Sequence, residues 1–250
     1  MSLRQRSAEL RLAVIMLTRL PAGRLKDPVP SLAQAAWAFP LVGLIIGAAG
    51  WAVLWGAQAA GLGAVLGAIL AYGTMARLTG ALHLDGLADF ADGIGGGRDK
   101  ARALEIMRDS RIGSYGVLAL IFAVALGVSA LAQMDPTMAL AALLLASVAS
   151  RLAMLLALTL MPPARGDGLG VLATGGTRGA LLPGAALVLA LAFWLGAVSF
   201  AALVALGLIT ALVARLALRR IGGQTGDVLG AVQVTGEVAA LVVLSGWLGA

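Results

Sequence analysis

Residues 138–161 read MALAALLLASVASRLAMLLALTLM and contain a single charged side chain, Arg151. A helix of this length is about 36 Å long, which is enough to cross the roughly 30 Å hydrocarbon core of a bilayer. The run is rich in Ala and Leu and does not alternate between polar and apolar residues, so it does not suit a strand. Six more runs have the same character, at residues 35–57, 62–83, 114–133, 181–197, 200–218 and 228–249. The sequence therefore predicts an all-α, polytopic helical membrane protein of about seven spans.

The composition of the 250 residues supports this fold class. Charged residues make up 12% of the chain, against about 25% in ordinary soluble domains, and the mean hydropathy is +0.97. The chain has no cysteine, which excludes disulfides, thiolate metal sites and a cysteine nucleophile. The apolar stretch 181–218 is too long for one span, and we divide it near residues 196–199.

The basic residues indicate the orientation in the membrane. With the N-terminus in the cytoplasm, all 18 Lys and Arg residues fall on the cytoplasmic side or in the inner half of a span. This topology accounts for the net charge of +6 without a nucleic-acid partner. We therefore expect a single integral membrane domain over residues 1–250 in the plasma (inner) membrane, with cytoplasmic loops at 84–113, 162–180 and 219–227.

The first 30 residues form a basic segment before the first span. Arg4, Ser7, Arg11 and Thr18 recur at helical spacing, whereas the continuous apolar part is too short to cross a bilayer. We expect an amphipathic helix that lies at the membrane interface and ends before Pro21. The alternative is a basic tail that serves topology alone.

The main chemical signal is HLDGLADFADGIGGGRDKARALEIMRDSRIGSYG, residues 83–116. Asp85, Asp89 and Asp92 lie at offsets of 0, 4 and 7, which puts them on one face of a helix. Like charges at this spacing repel one another unless a cation lies among them. Oxygen ligands suit Mg²⁺, which commonly bridges carboxylates and substrate phosphates. We predict a catalytic magnesium site at these three residues. His83 is a further catalytic candidate, with a hydrogen-bonded boundary residue as its alternative.

The remainder of this segment suits phosphate binding. Gly95, Gly96 and Gly97 are expected to end the carboxylate helix and to free backbone N–H groups, and a second helix is expected to begin near Asp99. The other predicted substrate-binding residues of the segment are Arg98, Arg108, Asp109, Ser110 and Arg111. Carboxylates, glycines and cations together are the parts of a phosphoryl-transfer site. The alternative is a solvated loop whose acids and bases pair with each other.

Two other cytoplasmic segments carry candidate substrate contacts. In PPARGDGLG, residues 162–170, two prolines end the fourth span and Arg165 can bind two phosphate oxygens at once. A plain topological loop is the alternative there. GGQTGD, residues 222–227, opens the last span, and a helix N-terminus favours phosphate. We predict that Thr225 and Asp227 contact substrate, and the alternative is that Asp227 only caps the helix.

Four ionisable side chains lie in or beside the predicted spans: Arg77, His83, Arg151 and Glu237. Such groups usually face the interior of a bundle, pair with one another and mark functional sites. The two arginines could instead extend to the interface. Glu237 lies too deep in its span for that, so an ion pair with one of the arginines is its structural alternative.

At these residues the chain resembles the cobalamin synthase, or adenosylcobinamide-GDP ribazoletransferase, family. The resemblance rests on the 83–116 motif, supported by LTRLP at 17–21, PPARGDGLG at 162–170 and GGQTGDVLGA at 222–231. Together these cover the full length in the family's order. The chain departs from the family at Phe90, where a small or hydroxylated residue is common, and at Leu17, where Phe is common. Neither residue is a proposed ligand.

The resemblance implies a Mg²⁺-dependent membrane transferase for the last assembly step of adenosylcobalamin (vitamin B12). The 3′-hydroxyl of α-ribazole, or of its 5′-phosphate, would attack the phosphate of adenosylcobinamide-GDP, and GMP would leave. One carboxylate, Asp89 or Asp92, would take the hydroxyl proton. The implied partners are these two substrates, the lipid bilayer and soluble enzymes of the corrinoid pathway.

Two other classes of membrane protein compete with this interpretation. A CDP-alcohol-type phosphotransferase would show an Arg just after its DG-x-x-A element, where Asp89 stands here, and a prenyl transferase would show two Asp-rich motifs instead of one. A transporter would show broken, polar helices near the midplane. The acids of this chain cluster at the inner boundary instead, and only Glu237 favours transport.

Overall fold

The computed structural model describes residues 2–173, 175 and 178–248, so parts of the predicted loop 162–180 and the end of the last predicted span lie outside it. No strand is present in the described ranges. The helices are α1 Leu3–Leu17, α2 Leu32–Ala35, α3 Phe39–Ala59, α4 Ala64–Thr79, α5 Leu82–Gly96, α6 Lys100–Ile106, α7 Ser114–Gln133, α8 Pro136–Leu160, α9 Leu169–Leu172, α10 Leu181–Leu195, α11 Val198–Ile221 and α12 Gly226–Leu248. The all-α prediction is confirmed.

Six helical stretches among the described residues are long and apolar enough to cross a membrane, and α4 with α5 would make a seventh. This agrees with about seven spans. The predicted second span, 62–83, is wrong as a single element, because α4 and α5 meet at an angle of 88°. The break lies at Gly80 and Ala81, which both have left-handed backbone angles, with φ of 61° and 57°. A left-handed residue cannot continue a right-handed helix, so α5 leaves the direction of α4.

The centre of the bundle is formed by α8 and α12. In α8 and α12, 78% of the most apolar 18-residue stretch of the helix is buried inside the protein. The corresponding share is 28% in α7 and in α11. Helix α3 packs directly on the backbone of α8 through Gly43 and Gly47. A Cβ added at Gly43 would lie 2.6 Å from the carbonyl oxygen of Ser147, and one at Gly47 would lie 2.8 Å from that of Leu143. Small residues permit this close approach, which is the usual basis of helix association in membranes.

The predicted division of residues 181–218 is confirmed. Helix α10 ends at Leu195 and α11 begins at Val198. Gly196 between them has a φ of 73°, a backbone angle that favours glycine. The hydroxyl of Ser199 donates to the carbonyl oxygens of Gly196 and Ala192 at 2.6 and 3.1 Å, which supports the turn.

A buried ion pair links the two central helices. Arg151 of α8, which is 1% exposed, lies 3.7 Å from the carboxylate of Glu237 on α12. The Ser147 hydroxyl donates to Glu237 at 2.7 Å, and Gln233 donates both to Glu237 and to the Ser150 hydroxyl. The structural alternative for Glu237, an ion pair with an arginine, is therefore confirmed, and this residue gives no support to transport.

A second buried acidic residue, Glu9, connects the N-terminal helix α1 to the bundle. Glu9 of α1 is fully buried and accepts hydrogen bonds from Arg6 at 2.9 Å and from the indole N–H of Trp37 at 2.7 Å. Thr18 follows the end of α1, so the helix stops before Pro21 as predicted. Its location at the membrane interface and the cytoplasmic N-terminus stay predictions.

Candidate active site

The packing of α5 on α12 brings together acidic residues that are distant in sequence. Gly86 and Gly230 form the contact, and a Cβ added at Gly86 would lie 3.1 Å from the Cα of Asp227. Asp227 is therefore brought beside the carboxylate helix. The negative charges of Asp85, Asp227 and Asp92 and the positive charge of Arg165 all act on Asp89.

Gln224 joins the loop that follows α8 to the loop that precedes α12. Its backbone N–H donates to the carbonyl of Pro162 at 2.8 Å, and its carbonyl accepts from Ala164 N–H at 2.8 Å, which makes a short parallel bridge with Pro163. The buried Gln224 side chain also donates to the carbonyl of Gly170 at 3.4 Å. This bridge holds Arg165 beside Asp227. The sequence offered no signal for it, because the partners lie in separate loops.

Arg165 is the predicted cation that the structure brings to the carboxylates. Its Nη2 lies 3.7 Å from Asp227, and its Nε lies 3.5 Å from Asp167. The side chain is only 18% exposed, and its Nη1 is buried without a hydrogen-bond partner in the described part of the chain. A buried, unpartnered guanidinium nitrogen costs free energy unless a ligand accepts from it. Arg165 is thus suited to an anionic oxygen.

Thr225, and not Asp227, caps α12. The Thr225 hydroxyl accepts from Val228 N–H at 3.3 Å and donates to the Asp227 carboxylate at 3.1 Å. The alternative that Asp227 serves only as the helix cap is therefore wrong. Asp227 lies in the first turn of the helix and turns its carboxylate to Arg165.

Asp92 does not join the other carboxylates. It is buried, and its two oxygens accept from the backbone N–H groups of Gly113 and Gly116 at 2.7 and 2.8 Å. These groups belong to the N-terminus of α7, where a carboxylate is favoured by both hydrogen bonding and the helix dipole. Among the described residues no three His, Asp or Glu side chains surround one metal position. The three-carboxylate magnesium site stays a prediction, with Asp92 held by α7.

The glycine-rich segment does not free backbone N–H groups, contrary to our expectation. Helix α5 continues to Gly96, and the N–H of Gly97 donates to the carbonyl of Gly93 at 3.0 Å. The glycines instead allow close packing, because a Cβ added at Gly95 would meet the ring of Tyr115 at 2.5 Å. Arg220 of α11 donates to the carbonyls of Ile94 and Gly97 and so holds the end of α5. The sequence analysis missed this residue.

The other predicted phosphate ligands lie on the exposed side of the region. Arg108 donates to both oxygens of Asp167 at 2.6 and 2.8 Å. Arg111 donates to Asp109, and these hydrogen bonds lower the pKa of Asp109 to about 2. Helix α6 begins next to Asp99 as predicted, and the Asp99 side chain caps it. Two further predicted ligands, Arg98 and Ser110, are exposed. The substrate contacts proposed for all of these residues stay predictions.

A cavity of about 170 Å³ adjoins the charged cluster. Its charged lining consists of Asp85, Arg165 and Asp227, and His83 lies at its edge. His83 is buried, and its Nε2 has no hydrogen-bond partner among the described residues, so its alternative role as a hydrogen-bonded boundary residue gains no support there. The rest of the lining is apolar and includes side chains of α1, a helix that our sequence analysis did not connect with the site.

The comparisons with known proteins identify the family of the chain. The family model described as Cobalamin-5-phosphate synthase matches residues 9–245. A protein of Bradyrhizobium diazoefficiens, named adenosylcobinamide-GDP ribazoletransferase, is 46% identical over 94% of this chain and 92% of its own. Proteins of the same name from Azorhizobium caulinodans and Mesorhizobium japonicum are 49% identical over 89% of both chains, and 42% identical over 98% of this chain and 95% of the relative. No solved structure matches the chain at a significant level. The matched segment includes the carboxylate helix, both bridged loops and the candidate spans except for the last three residues of α12, and the chain is therefore a multi-pass membrane transferase that belongs to the Cobalamin-5-phosphate synthase family.

Proposed function

We propose that this transferase joins adenosylcobinamide-GDP to α-ribazole or its 5′-phosphate at the cytoplasmic face of the inner membrane, in the last step of cobalamin assembly. The relatives' names supply the reaction class. The observation that carries the assignment to this site is Arg165, because its buried Nη1 lies beside a group of carboxylates and has no hydrogen-bond partner among the residues that the structure describes. A phosphate oxygen would satisfy that nitrogen.

The reaction is a displacement at phosphorus. The 3′-hydroxyl oxygen of the acceptor forms a bond to the phosphorus atom attached to the corrinoid, and the bond from that phosphorus to the bridging oxygen of the pyrophosphate breaks. The electron pair of that bond leaves with GMP. Arg165 binds a non-bridging oxygen of the donor and stabilises the charge that builds up in the transition state.

The hydroxyl proton needs an acceptor within the site. Asp89 and Asp92 are the two candidate carboxylates. Asp92 accepts hydrogen bonds from two backbone N–H groups at the N-terminus of α7, so its oxygens are already occupied. Asp89 is partly exposed, and its carboxylate accepts no hydrogen bond from the residues that the structure describes. We therefore assign the proton to Asp89.

The carboxylates also suit Mg²⁺. The ion is usually held by one or two carboxylates together with water and substrate phosphates, so a complete protein cage is not needed. Asp85 and Asp89, supported by Asp227, provide hard oxygen ligands beside Arg165. When bound there, Mg²⁺ would neutralise the phosphate oxygens of the donor and of the leaving GMP.

The proposal is tested with the native protein purified in detergent. The protein is incubated with adenosylcobinamide-GDP and α-ribazole 5′-phosphate, with Mg²⁺ or with EDTA, and GMP and the corrinoid product are measured. We expect equal amounts of both products with Mg²⁺, loss of turnover with EDTA and recovery when Mg²⁺ is restored. Absence of GMP under all conditions would refute the function, whereas turnover unaffected by EDTA would refute only the role of the metal. Parallel incubations with a CDP-alcohol donor and with a prenyl diphosphate test the two competing enzyme classes.

A further inference from the structure

The apolar part of the cavity is a separate structural feature beside the charged cluster. Helices α1, α2, α3 and α8 contribute Met16, Leu17, Leu32, Phe39, Met154 and Leu158 to it, and Leu82 of α5 and Leu229 of α12 lie at the same cavity. Leu17, Phe39, Met154 and Leu158 are each no more than 6% exposed. The charged groups line the same cavity. Its lining therefore suits a molecule that has one apolar part and one polar or charged part.

The lining restricts which part of a substrate can enter. Apart from the charged residues and His83, the lining residues that the structure describes are aliphatic, aromatic, methionine or glycine. Guanine and the amide-bearing rim of a corrinoid would lose hydrogen bonds to water there, at about 1–3 kcal/mol for each group left unpaired. An aromatic base with apolar substituents would instead gain from burial. The walls therefore favour the base of the acceptor over any part of the donor.

Helix α1 contributes to these walls although it precedes the first span. Leu17 is the first residue of the LTRLP motif, which the proposed reaction does not otherwise use. The backbone N–H of Arg19 donates to the carbonyl of Leu78 at 2.6 Å, which fixes the end of α1 against α4. The Thr18 hydroxyl donates to Val14 and accepts from Leu20 N–H. The motif thus holds Met16 and Leu17 in a defined position at the cavity.

We propose that the apolar part of this cavity binds the aromatic base of the acceptor nucleoside, and that Met16 and Leu17 of α1 select a base with apolar substituents. The inference rests on the proposed function. In this arrangement the ribose of the acceptor faces Asp85 and Asp227, and the donor phosphate lies at Arg165. The acceptor hydroxyl and the donor phosphate therefore meet at the charged cluster, where Arg165 lies 3.7 Å from Asp227.

The test compares three acceptors that differ only in the base: dimethylbenzimidazole, unsubstituted benzimidazole and adenine. The native protein should prefer the methylated base over the unsubstituted one by about tenfold or more in kcat/KM, since each buried methyl contributes to binding. Met16→Gln and Leu17→Ala should each reduce this preference several-fold and leave the KM for adenosylcobinamide-GDP unchanged. Ile15→Ala is the matched control, because Ile15 is 38% exposed and does not line the cavity.

A second measurement needs no variant. Free dimethylbenzimidazole should inhibit the native protein in competition with the acceptor and not with the donor. Base preferences that stay unchanged in both cavity variants, or inhibition that competes with the donor, would overturn the inference. Competition by a phospholipid or fatty acid in place of the base would overturn it as well and assign the cavity to lipid. If no acceptor releases GMP from the donor, the proposed function itself has failed.

Discussion

Arg165 differs from Arg108 and Arg111 because its side chain is mostly buried and its Nη1 has no hydrogen-bond partner in the described part of the chain. A lysine keeps the positive charge but cannot bind Asp167, Asp227 and a phosphate oxygen at the same time. We expect Arg165→Lys to raise the KM for adenosylcobinamide-GDP about tenfold or more, which corresponds to one charge-assisted hydrogen bond. Steady-state kinetics with each substrate varied in turn will measure this. Arg178→Lys, at an exposed arginine, should change neither KM, and an equal rise in both variants would contradict the assignment.

Asp89 and Asp92 lie one turn apart but have different surroundings, so their substitutions should separate activity from stability. Asp89→Asn should reduce kcat by about 100-fold or more, since the proton acceptor is lost. Its thermal stability in detergent should hold or rise, because repulsion among the carboxylates decreases. Asp92→Asn should lower the free energy of unfolding by about 1–2 kcal/mol, because an amide cannot accept both N–H groups of α7. Similar thermal stability of the two variants would show that the cap on α7 is unimportant.

For individual residues, the sequence predicted which residues belong to the site better than it predicted which groups each side chain contacts. The charge pattern pointed to Asp85, Asp89, Arg165 and Asp227, which do come together. It could not show that Asp92 caps α7, because equal spacing on one helix face does not specify what packs against each side chain. The buried Glu9 was missed for the same reason, since its partner Trp37 lies on a later element.

The contact between α5 and α6 depends on glycine at one face of α5. A Cβ at Gly93 would lie 2.9 Å from the carbonyl oxygen of Ala103 and 2.5 Å from Met107, whereas the nearest atom to one at Gly96 is the end of Ile106 at 3.3 Å. Gly93→Ala should therefore destabilise the protein by about 1–3 kcal/mol through overpacking. Gly96→Ala should be neutral or slightly stabilising, because alanine favours helix. Thermal unfolding in detergent compares the two, and equal effects would contradict this view of the contact.

Helices were predictable wherever an uninterrupted apolar run set their ends. The expected span 114–133 coincides with α7, and the expected span 138–161 differs from α8 by two residues at the start and one at the end. The bend between α4 and α5 was not predictable from hydropathy, because apolar residues continue on both sides of Gly80 and Ala81. Backbone angles, and not composition, end α4. The direction of α5 then follows from its packing on α12.

For the molecule as a whole, the orientation of the chain in the membrane is a prediction that the structure does not test. The chain has no native cysteine, so single cysteines can report which side of the membrane each loop faces. Gly166 and Gly63 are exposed and have open space where a side chain would go. Gly166→Cys should resist a membrane-impermeant thiol reagent in intact cells and react after permeabilisation, whereas Gly63→Cys should react in intact cells. The reverse pattern would move the proposed site to the outer face.

The ion pair between Arg151 and Glu237 has a consequence for how the protein is made. Synthesis completes α8 well before α12, so the guanidinium enters the bilayer while its carboxylate has not yet been translated. On insertion scales an unpaired arginine at the centre of a span costs about 2.5–3.5 kcal/mol. The unpaired charge of Arg151 must therefore be accommodated in the membrane until α12 has been inserted. A nonsense codon that removes α12 should leave Arg151 without its carboxylate partner and expose the truncated protein to quality-control proteolysis, and pulse-chase labelling would detect its short lifetime.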